Sequence, residues 1–379
     1  MPADAVAALV DRDPALPGLA VLLDDEALAR WWGGPVRRTY LRYKPGRSCV
    51  LAGRTAAGPF VVTARARDAT GKLRKDLSRV PGGALLAHDR ELRLLATTPA
   101  GDRRLPALAA LADDRRRARV LGRLTGVPLD ERPVTLSWKP RRRWVGRVGD
   151  VVLRAYSGDE SHRALRALEA LHRSGAAVPV VVGHDARLGL LAVEHVPGRP
   201  PSACELSRVG AELARLHAST ASLPAAHDVS AAVRASARQV ARLLPELAPR
   251  AGRLARAVCA VLAALRDEPV VAHGDFSTDQ VVVRPDGAIV LIDLDRAGTG
   301  SAAGDLAGAA AAEPGPRGGD VLAGLLDGYA GLRRPPAAAA LGAHLAAHHL
   351  RRAPEPFRQC ASGWPSQVEA RLAAAEAAL

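Results

Sequence analysis

The chain has 379 residues, and its 53 Lys and Arg outnumber its 39 Asp and Glu, for a formal net charge of +14. That length holds two or three domains and a large core. The cations are nearly all Arg and lie among acidic residues, and three Phe with four Tyr leave few platforms for stacking bases, so no nucleic-acid partner is expected.

The four cysteines (Cys49, Cys204, Cys259 and Cys360) are far apart and form no CxxC pair. That argues against a zinc site or a disulfide framework and suits a reducing cytoplasm. The first residues lack a basic start and an apolar core, and no run of about 18 uncharged apolar residues occurs. Neither a signal peptide nor a membrane span is expected, and the location expected is cytoplasmic.

Residues 1–35 read as short helices broken by Pro14 and Pro17. Residues 40–54 and 59–66 then form β-rich runs around Gly-containing turns, which predicts a small antiparallel sheet. Residues 84–97 and 105–124 read as helical from their Leu spacing. A second copy of the β-rich unit follows. Thr135-Leu136-Ser137-Trp138-Lys139-Pro140 lines up with Thr39-Tyr40-Leu41 onward, and Val151–Tyr156 echoes Val61–Ala66. We read this as an internal duplication of a strand-turn-strand unit. The second copy carries a basic hairpin loop (Lys139 to Arg143) and a strand ending in Arg154. A helix over 161–174 and a strand pair over 178–182 and 189–196 complete it, and Pro197-Gly198-Arg199-Pro200 reads as a hinge.

From 203 the periodicity is helical, with Leu206, Val209, Leu213 and Leu216 forming a buried stripe that ends at His217. Helices are expected over 229–266, interrupted by Pro245 and Pro249, and around 320–331, 337–352 and 365–379. Into this helical half is set Val270–Asp295, read as two neighbouring strands joined by the turn Pro285-Asp286-Gly287. Asp275 and Asp293 leave the strand ends, with the amide Gln280 between them. Phosphoryl transfer from ATP requires one carboxylate to orient a hydroxyl and take its proton, and hard oxygen ligands to hold Mg2+. Asp275 suits the first role, because Gly274 allows a tight turn before it. Asp293 suits the second, Gln280 offers an amide oxygen, and Arg154 can neutralise ATP phosphates. The hairpin cations are either a solvated loop or phosphate contacts, with Lys139 and Arg142 the candidates.

The ordered set His273-Gly274-Asp275, Gln280, Ile292-Asp293-Leu294-Asp295 and Asp305-Leu306-Ala307 resembles the aminoglycoside phosphotransferase and choline kinase family. Leu213–His217 looks like that family's segment before the catalytic loop, and Val193–Gly198 like its hinge. The resemblance spans roughly 135–332 and implies an α+β, protein-kinase-like two-lobed fold, with a β-rich N-terminal lobe and a mostly helical C-terminal lobe. The duplicated hairpin unit is an addition to that fold. The division expected is an accessory β/α region over 1–130, a nucleotide-binding small lobe and hinge over 131–200, and a catalytic large lobe over 201–379. The resemblance places Glu194 and Val196 at the adenine and gives His273, Asp295 and Asp305 supporting roles. It implies ATP and Mg2+ as cofactors and a small-molecule hydroxyl, of a sugar or aminoglycoside-like compound, as acceptor. Two alternatives stand beside it. One is a Ser/Thr kinase acting on a peptide, and the other a non-catalytic nucleotide-binding pseudokinase. Gln280 replaces the family's Asn, and Arg154 its Lys. A helix acid that would pair with Arg154 is ambiguous between Glu160 and Glu169. His344 and His348, four apart, are read as a surface helix or a wall of the acceptor pocket rather than a metal site.

Overall fold

The computed structural model describes residues 3–127, 131–313, 315 and 317–379. The expected boundary at 130, and positions 314 and 316, lie outside the described residues.

Three short helices open the chain: α1 (Ala3–Asp11), α2 (Leu19–Leu23) and α3 (Asp25–Trp32). A five-stranded antiparallel sheet follows, built from β1 (Arg37–Lys44), β2 (Ser48–Thr55), β3 (Gly58–Arg65), β4 (Leu85–Asp89) and β5 (Leu94–Thr97) in the order β1-β2-β3-β5-β4. Helix α4 (Thr70–Leu77) lies between β3 and β4. The helix expected over 84–97 is thus two strands. Its leucines have helical propensity, but Leu94–Thr97 is buried on every side and pairs with β3, and tertiary pairing overrides propensity.

Helices α5 (Pro106–Ala112) and α6 (Asp114–Thr125) lead to a second sheet, with β6 (Val134–Lys139), β7 (Arg143–Val148), β8 (Val151–Tyr156), β9 (Val181–Asp185) and β10 (Leu190–Glu194). Its order, β6-β7-β8-β10-β9, repeats the first. Helix α7 (Glu160–Arg173) stands where α4 stands in the first copy. Even the irregularity of the edge strand repeats. Leu85 and Ala87 face Thr97 and Ala96, and Val181 and Gly183 face Val193 and Ala192, each pair spanning one extra residue. The duplication therefore covers an entire five-stranded lobe, not one hairpin. Pairing also corrects its register by one residue. Val61 faces Thr97 as Val152 faces Val193, so Thr63 corresponds to Arg154 and Arg65 to Tyr156.

The remaining helices are α8 (Leu206–His217), α9 (Val229–Leu243), α10 (Ala248–Ala264), α11 (Ala302–Ala312), α12 (Arg317–Ala330), α13 (Ala338–Arg352), α14 (Glu355–Arg358) and α15 (Trp364–Ala377). Pro249 lies in the first turn of α10, where the missing N–H costs nothing, so it starts that helix rather than interrupting it. Among the helices sit two small sheets, β12 (Val281–Val283) with β13 (Ile289–Leu291), and β11 (Val270–Ala272) with β14 (Gly298–Gly300). The strands that deliver Asp275 and Asp293 are thus not paired with each other, contrary to the sequence reading. The two loops are instead tied by His273, whose Nε2–H donates to the Ile292 carbonyl at 2.8 Å.

Alternation along each strand sends one face to each neighbour. In the first sheet Val62, Ala64, Leu94 and Ala96 pack with α1–α3 and with α9, α10, α13 and α15 in one core, so the N-terminal sheet is seated on the helical half. In the second sheet the corresponding face (Leu153, Ala155, Leu190 and Ala192) is covered by α5 and α6. Its other face, with Tyr156, Leu191 and Val193, shares a core with α7, α8, α11 and α12. The cleft beneath that face holds the candidate site. No described helix is long and apolar enough to cross a membrane.

Candidate active site

A cavity of about 760 Å³ opens between the second sheet and the helical half, lined by Lys139, Arg142, Arg143, Tyr156, Asp275, Asp293 and Asp295 among others. Asp275 follows β11 through Gly274, whose φ is +82° and whose Cβ, if present, would lie 2.3 Å from the Arg296 carbonyl oxygen. Only glycine fits that crossing. Asp305 holds the loop from below. It is 2% exposed, and its carboxylate accepts from the His273 N–H at 2.6 Å and the Gly274 N–H at 2.9 Å. The third donor is His217 Nε2 at 3.1 Å, while the Tyr329 hydroxyl lies 2.9 Å from Nδ1, a tautomer assigned from these partners. Burial would raise the Asp305 carboxyl, but His217 and the loop N–H groups keep it below its ordinary value.

Asp275 is itself contacted by two cations, Arg296 at 3.3 Å and Arg351 at 3.7 Å. Burial favours its neutral form, yet these guanidinium groups win and hold it below the usual carboxylate range. It is therefore a carboxylate at neutral pH.

Asp293 sits at φ +64°, ψ +40°, a left-handed conformation that Asp tolerates better than most residues. Its carboxylate and that of Asp295 form one cluster with Arg143 and Arg154. Arg143 reaches Asp293 at 2.7 Å and also bonds Asp295. Arg154 reaches Asp293 at 3.1 Å and Asp295 at 2.8 Å, and the Tyr156 hydroxyl donates to Asp295 at 2.5 Å. Against burial, Arg154 and Arg143 lower the Asp293 carboxyl. The ion-pair partners of Arg154 are thus these aspartates. Neither helix glutamate takes that place: Glu160 lines the cavity, and Glu169 is exposed.

The amide of Gln280 is tethered through its backbone, whose carbonyl accepts from Ile292 N–H at 2.9 Å. Its side-chain Oε1 is buried and has no partner among the described residues. A buried acceptor left open in this way is an energetic cost unless a donor or cation completes it. The Asp293 carboxylate lines the cavity, shared with Arg143 and Arg154, and Gln280, linked to the Asp293 loop through the Ile292 N–H, is not part of the lining; both are hard oxygens of the kind Mg2+ takes alongside nucleotide phosphates, so their chemistry fits that ion.

Lys139 and Arg142 face the cavity, and partial burial, then the neighbouring Arg143, lower the Lys139 ammonium. The lining stops short of Glu194 and Val196. The Glu194 N–H is used by the Val180 carbonyl and the His195 N–H by the Asp150 carbonyl, at 2.9 and 2.8 Å.

His344 and His348 are buried on α13 and line the cavity, with His348 Nε2 donating to the Gly304 carbonyl at 2.9 Å. They are an inner wall, not a surface helix, and no group of three metal-ligating side chains exists among the described residues. Burial, then nearby arginines or histidines, push His348 well below its ordinary value, and His349 falls to about 4. Burial also lowers His344. A His that binds its proton less readily when folded stabilises the fold above pH 6.5, and that stability is lost as pH falls toward the folded value. Thermal unfolding scans should therefore show the melting temperature dropping between about pH 6.5 and 4. A flat profile across that window would refute the assignment.

Sequence reasoning missed Arg143 as an ion-pair partner, and with it Tyr156, Arg296 and Arg351. Arg143 lay within a basic run and Arg296 one residue beyond the Asp295 motif. Arg351 comes from α13, for which no local signal exists.

Two lobes, an Asp-bearing loop and an acidic pair beneath a five-stranded sheet define a kinase-type phosphotransferase. The chain belongs to the phosphotransferase enzyme family, whose model matches residues 130–341, more than half its length. Among solved structures it is similar to a choline/ethanolamine kinase family protein from Mesorhizobium loti, at 18% identity and a TM-score of 0.54, over 69% of this chain and 93% of that one. It is also similar to a choline kinase from Streptococcus pneumoniae, at 12% identity and a TM-score of 0.55, over 68% and 98% of the respective chains. These establish the fold. No curated protein matches the chain.

Proposed function

We propose that this chain transfers the γ-phosphoryl group of ATP to a hydroxyl of a small, neutral or anionic compound such as a sugar. The observation that carries the reading is Asp275, an ionised carboxylate at the wall of a cavity of about 760 Å³ that also contains the Asp293–Asp295 cluster. Asp275 accepts the hydrogen bond of the acceptor hydroxyl, orients its oxygen toward the phosphorus and takes the proton as that oxygen attacks. Asp305 keeps the loop in register. Arg143, Lys139 and Arg142 stand at the phosphate side. Asp293 and Gln280 would hold Mg2+, which supplies neutralisation of phosphate charge when bound. Glu194 and Val196 are proposed at the adenine end.

The cations around Asp275 favour one class of acceptor. Arg296 and Arg351 touch its carboxylate, and Arg163 lines the same cavity. Of the other acidic residues in the lining, Asp293 and Asp295 are paired with Arg143 and Arg154, Asp305 is taken by the loop N–H groups, Asp228 accepts from the Ala231 N–H and Glu160 begins α7. A polycationic aminoglycoside would meet the Arg296 and Arg351 guanidinium groups beside Asp275, whereas a neutral sugar would meet no like charge and a sugar acid would find cations there. Incubation with ATP, Mg2+ and a panel of neutral sugars, sugar acids and aminoglycosides, read by phosphorus NMR, tests this. Neutral or anionic compounds should be phosphorylated, with Arg351→Gln lowering kcat/KM for sugar acids by about 10-fold or more, the scale of one lost charge-assisted contact. Preferred phosphorylation of aminoglycosides would reject the acceptor class.

One observation favours a non-catalytic reading, since Arg143 and Arg154 already neutralise Asp293 and Asp295. ATP binding that is indifferent to Mg2+, without transfer to any acceptor, would support that reading instead.

A further inference from the structure

The first sheet carries its own cleft, of about 300 Å³, on the face that in the second copy looks onto the catalytic cavity. Thr63 and Arg65 line it, at the positions that Arg154 and Tyr156 hold in the second copy. Helix α4, the counterpart of α7, contributes Asp76. No catalytic loop lies opposite. The cleft is closed by the β6–β7 hairpin, which inserts Arg141.

The charges in this cleft do not balance. Four guanidinium groups (Arg65, Arg103, Arg104 and Arg141) face two carboxylates, Asp76 and Asp102. Asp76 is taken by Arg65 and by Arg103, the latter at 3.1 Å. Asp102 accepts backbone N–H groups, from Arg141 at 2.6 Å and from Arg104 at 3.1 Å. The Arg141 guanidinium donates to the Thr63 hydroxyl oxygen at 3.0 Å, and no ion pair to a carboxylate is formed by it or by Arg104 among the described residues. The surplus is felt nearby: Arg42 first, then burial, Arg47, Arg141 and Arg104 lower the Lys44 ammonium. Two unpaired guanidinium forks beside threonine hydroxyls are donors matched to a phosphate dianion.

We propose that the cleft of the first sheet is a second, non-catalytic site for a phosphate dianion, free or as the monoester of a small metabolite. Its volume lies at the small end of ligand pockets and is well below the catalytic cavity, which suits such a ligand and not a nucleoside triphosphate. Arg141 sits at φ +63° in the tip of the hairpin. Lys139, Arg142 and Arg143 of the same tip line the catalytic cavity. A phosphate clasped by Arg141 therefore fixes the turn that carries Arg143 to Asp293, and occupancy of one cleft biases the other.

Calorimetric titration of inorganic phosphate, and separately glycerol 3-phosphate, into the full chain tests the inference. Arg104 is exposed, so Arg104→Gln leaves the fold intact. That variant should weaken binding at least tenfold. Arg351→Gln, which removes a cation of the catalytic cavity that lies on α13 and not on the hairpin, should leave it within about twofold. The tighter of the two probes identifies the monoester or the free ion, and either supports the site. Hydrogen exchange of amides 141–143 should slow on adding the tighter probe to the wild type but not to Arg104→Gln. No saturable binding, or binding that survives Arg104→Gln and is lost in Arg351→Gln, overturns the site. Unchanged exchange in the saturated wild type overturns the link to the hairpin.

Discussion

Replacing Asp275 by Asn is expected to lower phosphoryl transfer by about a thousandfold while ATP affinity stays within a few-fold. The substitution keeps the shape and removes only the proton acceptor, and positioned general bases contribute roughly 10²–10⁴-fold. The effect should fall on kcat, since an interaction made in the transition state is lost. Asp275 is contacted by Arg296 and Arg351, which would be left without their carboxylate, so the acceptor KM should fall for anionic acceptors and stay near the wild-type value for neutral ones. Steady-state kinetics with the best acceptor of the panel gives both constants. Turnover within tenfold of the wild type would remove Asp275 from the chemistry.

The second large effect is on stability. Asp305→Ala should destabilise the fold by about 3–5 kcal/mol, the cost of stripping one partner from a buried, charged network. The lost carboxylate accepts three hydrogen bonds, from His273 N–H, Gly274 N–H and His217 Nε2. Each donor would be buried without an acceptor. Asp305→Asn keeps one amide oxygen and should cost less. Urea unfolding followed by tryptophan fluorescence measures both. Because the loop under Asp275 loses its anchor, residual activity should fall as well. A loss of less than 1 kcal/mol for the alanine variant would show that Asp305 does not brace the loop.

The two predictions differ in how far the sequence anticipates them. Asp275, Gln280, Asp293 and Asp305 were legible because the loop chemistry is local: a carboxylate after glycine, an amide five residues on, a carboxylate at a strand end. Helices with a clean apolar stripe, such as α8, were legible for the same reason. Residues 84–97 were misread because their leucines satisfy a helical period, and only pairing with β3 makes them strands. The full extent of the duplication was hidden by divergence. His88-Asp89, Leu92 and Leu94-Leu95-Ala96 recur as His184-Asp185, Leu188 and Leu190-Leu191-Ala192, but the match is visible only once both segments are known to be strands.

Residue types, their order and their spacing along the chain were enough to name a phosphotransferase and to single out Asp275 as the proposed proton acceptor, because the groups concerned lie within one loop and one hairpin. Which cation meets which carboxylate was decided by tertiary structure. Arg143 and Asp293 are 150 residues apart in sequence and 2.7 Å apart in space. Arg351 reaches Asp275 from another helix, and Arg141 enters the cleft of a different sheet. Coulomb interactions depend on distance and on burial, and neither is encoded in local pattern. The charge of the acceptor cavity and the surplus in the second cleft therefore appear only when the chain is folded.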